Sequence, residues 1–374
     1  MKLLRILLLI LILFIAVVLL AVGSLLYFVD PQKMAVNITK AIDKKTGYHV
    51  TMDGKLSWSF YPIFGINISH MSLSAPQQTI PFADLSDVRI ATELSQIIHG
   101  QEKLKGQVSI SKVRLMNMHL QNVQVQLHWK DKIITLDPIT ANLYNGSLVG
   151  TAHGSELSLN PKWDWNVTLK DIQLKPLLED INTGNKIKIA GVGQVKFQAV
   201  TQGNNREQFL NHLNGTLSYR VDQGVVEGVD LNYLVQTADA IINSQPVPAS
   251  PSLNQTEFAS LVGSAVIKQG IADINNVVLT SPVFTTKGEG DINLPNQTIN
   301  LQLEVAPQQS LKTQWLIPIS ITGPLDHPNV LLNTHALTKW MMEQDLNKVE
   351  DKVRDEMKEI KEKAGQFMQR VLGH

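Results

Sequence analysis

The chain has 374 residues, with 33 Lys and Arg against 33 Asp and Glu, a hydrophobic content of 44% and no Cys. That apolar content excludes global disorder, and a net charge of zero leaves no electrostatic footprint for nucleic acid. Without cysteine there are no disulfides, no thiolate metal sites and no thiol nucleophile, as suits a chain that works in an oxidising compartment.

The N-terminus reads as an anchor over residues 1–30. Lys2 and Arg5 precede Ile6–Val29, a run of 24 residues without a charge. As a helix rising 1.5 Å per residue it spans about 36 Å, enough to cross a hydrocarbon core with some tilt. Ile6, Phe14 and Leu20 fall inside this run, and Tyr27 and Phe28 sit where interfacial aromatics hold a helix end. A cleavable signal peptide competes, but its apolar region normally ends after about 7–15 residues at a small-residue site. The expectation is one uncleaved span, with the N-terminus in the cytoplasm and residues 31–374 carried across the membrane.

Residues 31–334 read as strand after strand. Gln32–Lys45 is a short helix candidate with Met34, Ile38 and Ile42 on one stripe, and from Tyr48 the period becomes two. Val123, Val125, Leu127 and Trp129 alternate with polar residues, as do Trp163, Trp165, Val167 and Leu169. Val195 and Phe197, Leu217, Tyr219 and Val221, and Ile299, Leu301, Leu303 and Val305 repeat the pattern. Turn signals are expected at Asp53-Gly54, Asn145-Gly146, Asn214-Gly215 and Pro295-Asn296. Strict alternation gives each strand one apolar and one polar face, as in antiparallel sheets wet on one side. Helices are expected near Val229–Asn243 and, more briefly, from Thr256 as an N-cap ahead of Phe258, Leu261 and Val262. The fold class is therefore mainly β, with dozen-plus strands.

Residues 335–374 are of another kind. They hold 16 charged side chains, eight of each sign, and Leu346, Val349, Val353, Met357, Ile360, Ala364, Phe367 and Val371 form a near-heptad stripe. This predicts a long amphipathic helix of about 57 Å. Three uses stay open: a solvated helix packed along the body, a self-associating coiled coil, or a helix that binds a partner or membrane surface.

No catalytic constellation emerges. The ten His residues are scattered without an H-E-x-x-H pattern, and no G-x-S-x-G elbow is present. Gly191/Gly193 and Gly288/Gly290 lack the third glycine of a phosphate loop and read as bulges or close approaches within strands. The expectation is a non-enzyme with no metal and no cofactor.

Several short motifs follow one another in a fixed order along the chain. After the apolar run come Asp30-Pro31, Thr46-Gly47-Tyr48-His49-Val50, Asp53-Gly54-Lys55-Leu56-Ser57-Trp58 and Phe60-Tyr61-Pro62. Later come Leu213-Asn214-Gly215-Thr216, Gly224-Val225-Val226-Glu227-Gly228, Leu279-Thr280-Ser281-Pro282 and Ile319-Ser320-Ile321-Thr322-Gly323-Pro324-Leu325. In order and spacing these motifs resemble the AsmA family of Gram-negative envelope proteins, over about residues 1–95 and 210–332. The stretch between is short for the family, and the charged helix after Asn333 is foreign to its pattern.

The resemblance implies an inner-membrane-anchored periplasmic protein with an elongated, open β-sheet groove that serves outer-membrane assembly and phospholipid transport. About 16 strands spaced 4.8 Å apart would make such a groove on the order of 75 Å long. Groove candidates are Val123, Val125, Leu127, Val167, Leu169, Val195, Phe197, Ile299, Leu301 and Leu303. Alternation alone leaves these residues equally suited to a closed core between two sheets. Three functions follow: a phospholipid-shielding groove, an assembly factor touching outer-membrane proteins through sheet edges and the terminal helix, or a passive envelope scaffold.

Overall fold

A computed structural model describes residues 49–59, 64–74, 80–92, 103–156, 160–181, 187–203, 205–308 and 316–339, with short helical pieces at 35–37, 39–40, 43–44, 341–343, 354–355, 357–358 and 361–362. The expected anchor, including Ile6, Phe14, Leu20, Tyr27 and Phe28, lies outside the described residues. Among those described, no helix is long and apolar enough to cross a membrane.

Among the described residues, sixteen strands form one antiparallel sheet whose order in space is the order along the chain. They are β1 (His49–Ser59), β2 (Phe64–Ser74), β3 (Ala83–Thr92), β4 (Lys103–Leu115), β5 (Met118–Lys130), β6 (Ile133–Leu143), β7 (Gly146–Ser155) and β8 (Lys162–Gln173). The second half comprises β9 (Lys188–Gln202), β10 (Asn214–Glu227), β11 (Gln255–Lys268), β12 (Ile271–Thr280), β13 (Phe284–Asn293), β14 (Thr298–Pro307), β15 (Ile317–Pro324) and β16 (Asn329–Leu332). Three helices bridge the central strands: α1 (Leu174–Ile181) from β8 to β9, α2 (Arg206–Asn211) from β9 to β10, and α3 (Leu231–Ile242) from β10 to β11. Among the described residues β1 and β16 remain as edges, so the sheet is open.

The period of two carries this architecture. In β8, Trp163, Trp165, Val167 and Leu169 project to one face and Asp164, Asn166, Thr168 and Lys170 to the other. Two-residue turns close several hairpins. Asp131-Lys132 joins β5 to β6 and Tyr144-Asn145 joins β6 to β7, all four residues at positive φ as such turns require. Gly290, inside β13, has φ +148°, and a Cβ there would run into the backbone of Asn300 and Leu301 on β14. That is the close strand approach its sequence context suggested.

Several expectations need correction. Asp53-Gly54 is no turn but a bulge inside β1, where the register with β2 slips between Asp53 and Leu56. Asn214-Gly215 opens β10 instead of turning the chain. No helix starts at Thr256, because Gln255–Lys268 pairs along its length with β10 and is captured as β11. The Thr256 hydroxyl instead donates to Val229 O (2.8 Å) and accepts from Leu231 N (2.9 Å), so it caps α3 from the neighbouring strand. The C-terminal helix is short where it is described. It starts behind Asn333, whose side chain accepts from Ala336 N (3.0 Å), and the residues described as helical are 334–339, 341–343, 354–355, 357–358 and 361–362.

One apolar cluster runs from Val50 in β1 to Leu301 in β14. A second gathers Val221, Phe258, Phe284, Val305 and Ile317 under α3 and Leu337 of the C-terminal helix. Ile134 and Leu136 are 0% exposed although they sit in a single sheet. The apolar face is therefore concave, as expected of a twisted sheet far beyond about ten strands. Leu136→Ala is expected to cost about 3 kcal/mol, against a change within about 0.5 kcal/mol for Lys196→Ala on the outer face. Denaturant titration of both variants checks this.

Candidate functional site: an apolar groove along the sheet

The strand registers can be followed residue to residue across the whole sheet. One row starts Trp58, Ile66, Ile90, Val108, Val125, Ile139, Gly150 and Val167 from β1 to β8. It continues Phe197, Leu217, Ala265, Ile274, Gly290, Leu301, Ile321 and Val330 from β9 to β16. Every position in it is apolar or glycine. A second row, two residues over, holds Ile68, Val88, Ile110 and Val123, then Leu148, Leu169, Val195 and Tyr219, then Leu303 and Ile319. A third holds Leu127, Leu136, Ala152, Trp165, Ala199 and, toward the far end, Ile292 and Ile299. The opposite face is polar along its matching row except at Val149: Ser57, Asn67, Arg89, Ser109, Gln124, Thr140, Val149, Thr168, Lys196 and Ser218.

All ten groove candidates lie on this one concave face. Val125, Leu127, Leu301 and Leu303 are buried, and Val123, Val167, Leu169, Val195, Phe197 and Ile299 are half-buried. The structure thus separates them into enclosed flanks and an open middle. Ile66, Ile90, Val108 and Val125 are buried on one side, and Ala265, Ile274 and Leu301 on the other. Between them Ile139, Val167, Phe197 and Leu217 are only half-buried, and Val167 and Val195 join neither packed cluster. Sequence reading missed Gly150 and Ala265 as members of the rows, since small residues add nothing to a hydrophobic pattern. It also missed α1, although Leu174, Leu177 and Ile181 sit at helical spacing.

Helices guard the rims of the open middle. The Leu174 side chain of α1 lies over Gly193, where a Cβ would collide with it. At the other end of α1, Asp180 accepts a hydrogen bond from the Tyr144 hydroxyl (2.6 Å) and faces His119 Nδ1 at 3.5 Å. Burial first, and then the neighbouring Asp180 carboxylate, push the Tyr144 phenol well above its usual range. On the opposite rim α2 presents Phe209, whose carbonyl accepts from the Thr201 hydroxyl (2.6 Å).

Charged groups keep to the outer face and the rims. Asp84 is shared by His70 and Arg114. Burial raises its carboxyl, but hydrogen bonds from Arg114 and His70 outweigh that and hold it below its ordinary value of 3.8. Among the described residues no group of three His, Asp or Glu could hold a metal ion. What this surface offers is an apolar lining about 16 strands long.

Comparison with known proteins decides the family. The AsmA family pattern matches residues 92–277. The chain belongs to the AsmA family. The match takes in the middle of the sheet, which the motif resemblance had left out. Protein AsmA of Escherichia coli (strain K12) is 24% identical over 200 residues, or 52% of this chain and 31% of that protein. The aligned region thus spans about a third of that AsmA protein's length. No solved structure matches the chain.

The lowered Asp84 carboxyl makes a pH-dependent contribution to stability. It is fully present above the unfolded value near 3.8 and is lost as pH falls through the lower folded value. Asp84→Asn is expected to flatten the acid limb of stability below about pH 4 and leave the neutral limb's slope unchanged. Thermal denaturation from pH 2.5 to 7 on both proteins checks it.

Proposed function

We propose that this AsmA-family protein works in envelope biogenesis as a non-catalytic phospholipid carrier, shielding acyl chains along its concave sheet face for outer-membrane lipid homeostasis. The observation that carries this reading is the row of apolar residues unbroken from Trp58 to Val330. A fatty chain laid on such a row leaves water at about 25 cal/mol per Å², or about 0.8 kcal/mol per CH₂, and no reacting group is needed. The family resemblance adds the setting: an inner-membrane anchor through Ile6–Val29, with the sheet in the periplasm.

The proposed partners are the inner membrane and phospholipid, without nucleic acid. Val167→Glu or Phe197→Glu places a charge in the open middle, where the side chain is half-buried and the fold can accommodate it. Each is expected to remove most co-purifying phospholipid while the circular dichroism spectrum stays that of the parent. Lipid extraction followed by mass spectrometry reads the loss, and full lipid retention in a folded Val167→Glu protein would sink the reading. Leu127→Glu is not a fair test, because Leu127 is 1% exposed and a charge there unfolds the core.

A second reading, an assembly factor for outer-membrane proteins, draws on the two free sheet edges, β1 and β16. Unpaired strands are sites for strand addition. The bulge at Asp53–Leu56 interrupts the β1 edge and weighs against long pairing there. In this reading the C-terminal helix supplies contacts to partners or to a second copy. Deleting residues 344–374 spares Leu337, which is packed under the sheet, and is expected to change the partners recovered by pull-down. An unchanged set would count against a helix-mediated role.

A further inference from the structure

The C-terminal helix carries two apolar faces, and the sheet takes only one of them. Leu337 is 1% exposed, and Met341 packs against the same cluster under α3. Met342 is 63% exposed, and Met357, where the chain is again helical, is 55% exposed. Continued as one helix at 3.6 residues per turn, Met342, Leu346, Val353, Ile360, Phe367 and Val371 share a stripe about 60° wide. That stripe is turned roughly 130° away from Leu337 and Met341. The contact that seats the start of the helix therefore points the longer stripe away from the groove.

The stripe reads nearly the same in both directions. Leu346, Val353, Ile360 and Phe367 recur every seven residues. Laid antiparallel on a second copy, Leu346 meets Phe367, Val349 meets Ala364, Val353 meets Ile360, and Met357 meets its own counterpart. Charge selects this direction. Residues 343–356 hold six acidic and three basic side chains, whereas residues 357–371 hold four basic and two acidic. An antiparallel partner sets the acidic half on the basic half, and a parallel one sets like on like. A membrane surface is the poorer match, because it calls for an excess of Lys and Arg that these residues lack.

We propose that this stripe is a self-association surface, on which two copies of the chain join as an antiparallel coiled coil centred on Met357. A lone amphipathic helix is marginal in water, and pairing buries its stripe at about 25 cal/mol per Å². The pairing does not depend on what the groove carries. It narrows the helix-mediated contacts of the assembly-factor reading to one partner, a second copy of this chain.

The absence of Cys makes the arrangement directly testable on the full chain in its membrane. Leu346→Cys, Met357→Cys and Phe367→Cys are made singly, membranes are oxidised mildly, and disulfide-linked dimers are read by non-reducing electrophoresis. A disulfide needs Cα atoms within about 7 Å of each other. Met357→Cys is expected to cross-link by itself. Leu346→Cys and Phe367→Cys are each expected to stay monomeric alone and to cross-link when the two variants are produced in one cell. Cross-linking of Leu346→Cys by itself would mean a parallel pair, and no dimer in any combination would mean that the stripe meets something else; either result overturns the proposal.

Sedimentation of the detergent-extracted full chain tests the association without a covalent bond. The parent is expected at twice the mass of one chain. Val353→Glu combined with Ile360→Glu opposes carboxylates across the pairing and is expected to halve that mass. Both positions lie beyond Leu337, so the circular dichroism of the sheet is expected to stay that of the parent. A monomeric parent, or a double variant that remains a dimer, would overturn the self-association and leave the lipid-carrier reading standing.

Discussion

Everything in this protein depends on register. In a β-strand successive side chains point to opposite faces, so a slip of one residue at any pairing would send a whole apolar set into water. Here fifteen successive antiparallel pairings join sixteen strands, and one apolar row passes through all of them. The penalty for a slip is paid by every strand beyond it. A continuous groove and a stable sheet are thus two consequences of the same constraint.

Bulges make the sheet curved without breaking that row. The register shifts between Asp53 and Leu56, between Leu136 and Ile139, between Asp222 and Val225, and between Ile274 and Val277. Each bends its strand and increases the local twist, and after each one the apolar residues return to the concave side. Glycine serves the same end. At Gly290 the neighbouring strand comes too close for a side chain, so the row continues there as bare backbone between Ile274 and Leu301.

The division of polar and apolar chemistry follows from the shape. Ion pairs such as Lys175–Glu227 and Lys162–Glu156 sit exposed at the rims and outer face, where water leaves them little net energy. They position helices and turns around the groove more than they stabilise the sheet. The flanks are closed by packing against the curved sheet itself and, toward β16, by α3 and Leu337. The middle is bordered by α1 and α2, which leave its floor half open. An apolar floor in that state is where burial against an apolar ligand would gain most, since water still touches it.

Much of this was legible in the residues. Alternation marked the strands and the side of each that avoids water, and all ten candidates, from Val123 to Leu303, fall on that side because the pleat admits no other arrangement. Asp230 and the apolar stripe behind it marked α3, whose N-cap accepts from Tyr233 N. Local signals failed where a neighbouring strand outbid them. Asp53-Gly54 resembles a turn but lies within a paired strand, and Thr256 resembles a helix cap but caps a different helix from the next strand over. Whether the apolar face closes on a second sheet or curves into a groove was undecided by period alone, since both bury the same residues. Tertiary structure decided it, because pairing every strand with its chain neighbour leaves a single sheet whose apolar side, among the described residues, has only its own curvature and a few helices to cover it.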